Sequence, residues 1–229
     1  KNKRILVFAA HPDDEILGCG GTLLYYRNKG YKIKIIFMSD GESSRNINIK
    51  RKNQLIAKRG EQAKKVSKKS KFIEPKFYNF PDNRMDSVPI LEVVKKVELE
   101  IKNFKPSIIF THFENDLNID HRVTFNAVLT ATRPKSQTFV DKILCFEIAS
   151  STNFSFYSDK SKIFKPNVYI DIKKFVRKKL DLLKIYNSEM RPWPHTRSIK
   201  GIKYLANNRG TEIGIDSAEA FINIREIIK

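Results

Sequence analysis

The sequence is poor in cysteine and in long apolar runs. Its 229 residues include only Cys19 and Cys145, which do not form a CxxC pair. Two cysteines cannot build a disulfide scaffold, so we expect both to be reduced core thiols of a cytoplasmic protein. No apolar run reaches the roughly 20 residues of a membrane-spanning helix. The basic and then apolar start, Lys1 to Phe8, resembles a signal peptide, but it is short and leads into a charged segment, which indicates a strand.

Acidic residues are scarce beside basic ones. Lys and Arg number 44 against 25 Asp and Glu, a net charge of +19. This excess favours anionic partners, although drift toward AT-rich codons also produces such a composition and is the explanation we prefer. Twelve basic residues lie between Arg45 and Lys76, with almost no aromatic residue before Phe72. Nucleic-acid binding needs interleaved stacking residues, so we expect no specific nucleic-acid partner, and peripheral association with an anionic membrane stays open.

Predicted strands and helices alternate through most of the chain. Strands are expected at 5–10, 32–38, 77–80, 107–111, 143–148 and 168–172, and helices at 15–29, 47–69, 88–103, 121–132 and 175–187. This order predicts a single α/β domain over residues 1–229, with a mainly parallel sheet and helices on both faces. The last forty residues look loop-like and polar, and we expect them to form a C-terminal cap on this domain.

Three polar clusters fall where predicted strands end. Open parallel sheets bind ligands at the carboxyl ends of their strands, so these clusters are expected to meet there. The clusters are His11, Asp13, Asp14 and Glu15; Asp40 and Glu42; and His112, Glu114, Asp116, Asp120 and His121.

Neighbouring carboxylates at a strand end repel each other unless a cation lies beside them. Imidazole and carboxylate together suit Zn²⁺, and other divalent transition metals are alternatives. A catalytic zinc site needs three protein ligands and one open position, which His11, Asp14 and His121 can supply. Asp13 then remains as a general base. An isolated His beside two acids is usually a surface ion pair, but here Pro12 stiffens the loop and a second acidic His loop follows another strand.

The segment Ala10-His11-Pro12-Asp13-Asp14-Glu15, followed by Gly18-Cys19-Gly20-Gly21-Thr22, resembles the signature of the PIG-L (LmbE-like) family of zinc deacetylases. The loop ending Asp120-His121 is similar to the second motif of that family. Weaker matches are Ser39-Asp40-Gly41-Glu42, Phe80-Pro81-Asp82-Asn83-Arg84 and Ala218-Glu219-Ala220-Phe221. The resemblance implies a Rossmann-like three-layer fold, removal of an N-acyl group from an amino sugar, zinc on His11, Asp14 and His121, and Asp13 as base.

One position departs from the family pattern. Many members have a His three residues before the last zinc ligand, where this chain has Asn118. An Asn can donate a hydrogen bond to an oxyanion but cannot deliver a proton, so Asp13 is expected to act as both base and acid. Asp120 is expected either to orient the ring of His121 or to cap the following helix.

Several further residues are candidates for substrate binding, each with a plainer alternative. Arg59 either reaches a sugar hydroxyl or phosphate or is a solvated helix residue. Asp82 either binds sugar hydroxyls or forms a turn. His195 enters the pocket or lies on an exposed loop, and Trp193 stacks on a sugar or does not. His112 is expected to be structural.

Two functions follow from these residues. The first is zinc-dependent hydrolysis of the N-acetyl group of an amino sugar, free or carrier-linked, in surface polysaccharide synthesis. The alternative is a metal-containing protein that binds a glycan or polyanion with altered or no catalysis, suggested by Asn118 and by the charge. The intact Asp13 favours the enzyme.

Overall fold

The computed structural model describes residues 2–44, 47–134, 140–156 and 158–228; Arg45, where the predicted basic run begins, lies outside them. The strands are β1 (Arg4–Ala9), β2 (Lys32–Ser39), β3 (Lys76–Phe80), β4 (Ile108–His112), β5 (Lys142–Phe146), β6 (Val168–Asp171) and β7 (Ala218–Glu226). The helices are α1 (Asp14–Asn28), α2 (Ile49–Ser70), α3 (Ile90–Phe104), α4 (Ile119–Ala131), α5 (Val176–Leu183) and α6 (Ile199–Thr211).

The seven strands form one sheet in the order β3-β2-β1-β4-β5-β7-β6. Strands β1 to β5 pair in parallel, whereas β7 runs antiparallel to both of its neighbours. The chain moves outward in one direction from β1 to β3 and in the other from β4 onward. The carboxyl ends of β1 and β4 therefore flank a topological switch point, where sheets of this kind hold their ligands.

Two apolar cores cover the two faces of the sheet. Alternation along β1 sends Ile5 and Val7 to one face and Leu6 and Phe8 to the other. Helices α1, α2, α5 and α6 pack on the first face, and α3 and α4 on the second. The predicted three-layer, mainly parallel α/β architecture is therefore confirmed.

Helix α1 lies unusually close to the sheet because of its glycines. A Cβ atom on Gly18 would come within 2.3 Å of the Phe146 ring, and one on Gly21 within 2.8 Å of Ile172. The helix also kinks at Cys19, where φ is −142°. The carboxylate of Glu219 on β7 accepts hydrogen bonds from the N–H groups of Gly21 and Thr22 beyond the kink. This packing fixes the helix whose first turn carries Asp14 and Glu15.

The last forty residues differ from the expected cap. Residues 192–198 form a loop, but they are followed by helix α6, and β7 enters the sheet between β5 and β6. The α-helix predicted to reach Asn187 ends at Leu183 and continues as a 3₁₀ turn. Both cysteines are free and buried, as predicted. Among the described residues, no helix has the length and apolar character needed to cross a membrane.

Candidate metal centre and active site

The predicted polar clusters meet at the carboxyl edge of the sheet. His11 lies in the turn after β1, Asp14 is the first residue of α1, and His121 lies in the first turn of α4, which follows β4. The three side chains are buried, and each offers a ligand atom within 4.8 Å of the others. The structure thus brings together the residues that the sequence predicted as metal ligands, 110 positions apart in the chain.

The distances around Asp14 fit a small tetrahedral cation. Its Oδ2 atom lies 3.3 Å from Nδ1 of His11 and 3.4 Å from Nε2 of His121. Ligands bound at about 2.0–2.1 Å in a tetrahedral zinc site are separated from one another by about 3.3–3.4 Å. Both distances from Asp14 therefore match the separation of two ligands on one Zn²⁺ ion, and each of the three side chains offers an atom within 4.8 Å of the others. The residues present fit a metal.

In each candidate histidine ligand, the ring nitrogen that does not face Asp14 lies close to another carboxylate. Nδ1 of His121 lies 3.0 Å from Asp116, and Nε2 of His11 lies 3.0 Å from Asp120. Such pairs place the proton on the outer nitrogen and direct the lone pair of the inner nitrogen toward the metal. The expectation that Asp120 orients His121 was wrong, because consecutive helix residues point about 100° apart. The helix-capping alternative was also wrong, because Asn118 is the N-cap of α4.

The outer carboxylates are themselves held in place. Asp116 accepts hydrogen bonds from the hydroxyl groups of Ser151 and Thr152. Asp120 accepts them from the backbone N–H groups of Asn83, at 2.7 Å, and Met85, at 3.0 Å. Both pairs therefore have fixed geometry before any cation binds.

The electrostatics of the cluster favour positive charge. Burial lowers the pKa of His121, but Asp116 and Asp14 more than offset it and bring that pKa to about 9. Burial would raise the pKa of Asp14, yet His121 and His11 hold it well below the usual range. A buried position that stabilises imidazolium ions so strongly also stabilises a divalent cation on the unprotonated rings.

His112 has the structural role that the sequence predicted. Its ring stacks on His121 with centroids 3.9 Å apart. Its Nε2 atom accepts a hydrogen bond of 2.8 Å from the N–H of Ala10, so that nitrogen has no lone pair left for a metal. His112 thus packs against the ring of the candidate ligand His121 and anchors the end of β1.

The Asp13 side chain is buried beside the cluster. Its backbone has φ 137°, a conformation that non-glycine residues rarely adopt. The Glu15 carboxylate stabilises this turn by accepting the Asp13 N–H at 3.0 Å, and the Tyr186 hydroxyl donates to Glu15 at 2.7 Å. The strained turn directs Asp14 into the ligand cluster and leaves the Asp13 carboxylate outside it.

Two guanidinium groups face Asp13. Nη1 of Arg197 lies 3.1 Å from Oδ2 of Asp13, and Nη1 of Arg59 lies 4.0 Å from the same atom. Burial raises the pKa of Asp13 to about 6, against the opposing effect of these two positive charges. A carboxyl group with a pKa near neutrality can accept and return a proton, as a general base and acid must.

Arg59 belongs to the site rather than to the solvated face of α2. It is buried, and its guanidinium also contacts Glu189 at 3.0 Å and Glu42 at 3.5 Å. Gly41 makes room for it: a Cβ there would meet Arg59 at 3.0 Å, and its φ of 71° favours glycine. The solvated-helix alternative for Arg59 is therefore wrong, and its guanidinium group is shared among the carboxylates of Asp13, Glu42 and Glu189.

The other three substrate-binding candidates lie at different distances from the cluster. Asp82 is buried, and its Oδ1 lies 3.1 Å from Nε2 of His11. Asn118 donates to the Asn83 side chain at 2.9 Å, and its amide carries a second N–H that can face a substrate. His195 accepts a hydrogen bond from the Arg197 N–H at 3.0 Å. Within the described part of the chain, no hydrogen bond or ion pair joins His195 to Asp13.

Arg197, Glu189 and Tyr186 were not predicted as site residues. They come from the segment after α5, which carries no motif of its own. Their proximity to the site in the folded chain reveals them. The Arg in Trp193-Pro194-His195-Thr196-Arg197 was the one available signal, because that loop was expected to cover the pocket.

Comparison with known proteins now identifies the family. The model described as GlcNAc-PI de-N-acetylase, PIG-L, matches residues 6–132, more than half of the chain. The chain belongs to the PIG-L family. It is therefore a deacetylase, an amide hydrolase, and the resemblance drawn from its motifs is confirmed.

Relatives agree with this assignment. The Escherichia coli (strain K12) protein described as uncharacterized deacetylase YaiS is 29% identical over 156 residues, which cover 66% of this chain and 77% of that protein. A Bacillus anthracis protein described as probable N-acetyl-alpha-D-glucosaminyl L-malate deacetylase 2 is 24% identical over 198 residues, covering 82% and 83% of the two chains.

Solved structures share the fold. N,N'-diacetylchitobiose deacetylase from Pyrococcus horikoshii has a TM-score of 0.78 at 19% identity, covering 97% of this chain and 84% of that one. GalB, the 4-carboxy-2-hydroxymuconate hydratase of Pseudomonas putida KT2440, has a TM-score of 0.79 at 15% identity, covering 99% and 98%. Because a hydratase uses the same architecture, the fold alone does not set the reaction, and the site residues must.

Proposed function

We propose that this PIG-L family member is a zinc-dependent hydrolase of the N-acetyl group of an amino sugar, free or carrier-linked. One observation carries the proposal: three buried side chains with possible ligand atoms within 4.8 Å of one another lie beside a buried Asp13 that is not one of them. The names of the relatives support the substrate class, since two of them refer to N-acetylated sugars. We place the reaction in the cytoplasm, in the synthesis of surface polysaccharide.

In the proposed mechanism, His11, Asp14 and His121 hold the metal, which when bound supplies Lewis-acid polarisation of a carbonyl oxygen and a water of lowered pKa. Asp13 removes a proton from the attacking water and then donates a proton to the leaving amine. Arg197 fixes the position of the Asp13 carboxylate through their contact of 3.1 Å. The Asn118 amide donates to the oxygen on which negative charge develops.

Arg59, Asp82 and His195 are proposed as substrate contacts. Arg59 and Asp82 are buried at the rim of the cluster, where a sugar hydroxyl can approach them. His195 is half-buried in the loop that also carries Arg197. Its Nε2 atom is the group proposed to bind the substrate, because Nδ1 accepts a backbone hydrogen bond.

The geometry gives little support to the alternative function, a metal-containing protein that binds a glycan or polyanion with altered or no catalysis. A binding site has no need of a carboxyl group whose pKa is raised to about 6 beside a metal site. Asn118 removes one proton donor relative to many family members, but it leaves Asp13 in place.

The test is acetate release from a panel of N-acetylated amino sugars, their glycosides and nucleotide-linked forms. We expect at least one to be deacetylated, with activity lost after chelation and restored by one equivalent of Zn²⁺. Stoichiometric zinc binding without acetate release from any of them would favour the binding protein.

A further inference from the structure

Glu189 links the two arginines that face Asp13. It lies in the segment after α5, where its N–H group donates to the carbonyl oxygen of Tyr186 at 2.9 Å. One carboxylate oxygen of Glu189 lies 3.0 Å from Nη1 of Arg59, and the other lies 3.8 Å from Nη1 of Arg197. Each carboxylate oxygen therefore faces a different guanidinium group, and none of the steps above uses this arrangement.

The four side chains form a closed ring of alternating charge. Oδ2 of Asp13 lies 3.1 Å from Nη1 of Arg197 and 4.0 Å from Nη1 of Arg59, and Glu189 closes the ring by contacting both guanidinium groups. The side chains of Asp13, Arg59 and Glu189 are at most 9% exposed, and that of Arg197 is 19% exposed. A buried charge needs an opposite charge beside it. Each guanidinium group in this ring has two carboxylate neighbours.

The distances show that Arg59 is drawn toward Glu189 and away from Asp13. Its Nη1 atom lies 3.0 Å from Glu189 but 4.0 Å from Asp13, whereas a charge-assisted hydrogen bond is about 2.7–2.9 Å long. Asp13 thus receives a guanidinium hydrogen bond from Arg197, at its Oδ2 atom. Among the residues that the structure describes, none donates a hydrogen bond to its Oδ1 atom. That oxygen is the one that a reacting water or amine can approach.

Loss of the charge on Glu189 would change how the two arginines are shared. An amide side chain at this position has one oxygen and one NH₂ group, so it can accept from one guanidinium group but not from both. Nη1 of Arg59 would then be drawn toward Asp13, which also lies within 4.0 Å of it. A base held between two guanidinium groups transfers protons poorly, because both of its oxygens are then oriented by the protein.

We propose that Glu189 is a positioning residue for the deacetylation. It holds Arg59 back from Asp13 and keeps Arg197 against it, so that Asp13 retains one guanidinium donor and one accessible oxygen. This inference rests on the proposed function, because it takes Asp13 as the group that moves the protons. Glu189 acts through the two arginines rather than on the substrate itself.

A double-mutant cycle on the zinc-loaded protein tests this role. Glu189→Gln should lower kcat for acetate release roughly tenfold, since a misdirected base costs about that much, and should leave the zinc content stoichiometric. In an Arg197→Ala background, the same change should lower kcat less than about threefold, because one of the two groups through which Glu189 acts is gone. An equal loss in both backgrounds would mean that Glu189 is merely structural and would overturn the inference. Unchanged kcat in Glu189→Gln would also overturn it.

Glu100→Gln is the matched control. Glu100 is also a buried glutamate with charged partners, Lys34 and Lys76, but it lies on α3, which packs on the opposite face of the sheet from α2. This variant should leave kcat unchanged in both backgrounds, and a tenfold loss in it would overturn the specific role of Glu189. If Glu189→Gln does not fold, Glu189→Asp replaces it, because the shorter side chain withdraws the carboxylate from both guanidinium groups.

Crystal structures of the zinc-loaded parent protein and Glu189→Gln give a second readout that needs no turnover. We expect Nη1 of Arg59 to move from 4.0 Å to about 2.7–2.9 Å from Asp13 in the variant. Unmoved Arg59 and Arg197 side chains would overturn the inference. If no N-acetylated sugar is deacetylated, the proposed function fails, and the position of Arg59 in these two structures alone decides whether Glu189 holds the arginines in place.

Discussion

Arg197 donates a hydrogen bond to the Oδ2 atom of Asp13 at 3.1 Å, although the two residues are 184 positions apart in the chain. The contact links the loop before α6 to the turn after β1. It gives the proposed base a fixed orientation that the turn alone does not provide.

Removing this contact should slow the reaction without removing the metal. Arg197→Ala is expected to lower kcat roughly 10- to 100-fold, because a misplaced base costs about that much. Zinc content, measured by atomic absorption, should stay stoichiometric. Arg191→Ala is a suitable control, since Arg191 lies in the same segment and its side chain donates to the nearby carbonyl groups of Ser188 and Met190. Unchanged kcat in Arg197→Ala would show that Asp13 does not need this partner.

The carboxylate behind His121 should tune metal affinity. Asp116→Asn removes the charge that holds His121 Nδ1, 3.0 Å away, and is expected to weaken zinc binding roughly 10- to 100-fold. Competition with a chromogenic chelator measures this. Glu114→Gln, an exposed change two residues earlier, should have no effect. Equal affinities for Asp116→Asn and the parent protein would remove Asp116 from the metal centre.

The buried Glu100 on α3 should make stability depend on pH. Burial raises its pKa, but hydrogen bonds from Lys34, Lys76 and Tyr78 outweigh burial and lower it. A lowered folded-state pKa adds stability above the unfolded-state pKa of about 4.3, and that stability is lost as the pH falls through the folded-state value. Glu100→Gln should therefore cost about 1–3 kcal/mol of unfolding free energy at pH 7, and less at pH 3.5.

Urea unfolding at the two pH values measures the effect of Glu100→Gln. Glu92→Gln is the control, because its pair with Lys95 is exposed and contributes little. The same loss at both pH values would mean that Glu100 acts through packing rather than charge.

The basic face of α2 is proposed to bind anionic membranes. Lys58, Lys65 and Lys69 are exposed along this helix. Each such residue near a membrane surface contributes about 1 kcal/mol, so changing all three to Glu should abolish sedimentation with phosphatidylserine vesicles at low salt. Changing Lys95, Lys96 and Lys102 on α3 to Glu alters the net charge equally and should have a smaller effect. An equal loss of vesicle sedimentation in both variants would mean that the interaction depends on overall charge and not on α2.

The buried cluster proposed to hold the metal and most of the fold could be predicted from the sequence because they depend on short-range patterns. Buried strands followed by polar loops place His11, Asp14 and His121 at one sheet edge, since parallel strands end there together. Strand β7 and helix α6 were missed because their patterns are weak. Helix α6 contains Gly201 and Gly210, poor helix formers, and it is stabilised by the Ser198 cap and by burial of Ile202 and Ala206.

The residues that contact the candidate ligands and Asp13 could not be predicted. Asp116 and Asp120 are close in sequence to His121, but the directions of their side chains depend on where α4 begins, at Ile119. Arg197 reaches Asp13 only because the segment after α5 returns to the sheet edge. Tertiary placement, rather than local propensity, therefore completes the site.

The central claim is that Asp13 performs the proton transfers while His11, Asp14 and His121 hold the metal. The most direct measurement is zinc content together with acetate release for Asp13→Asn, with His121→Ala prepared in parallel. We predict that Asp13→Asn keeps one zinc per chain and loses nearly all turnover, roughly 100- to 10,000-fold, whereas His121→Ala loses the zinc. An Asp13→Asn protein with full activity, or a His121→Ala protein that retains stoichiometric zinc, would contradict it.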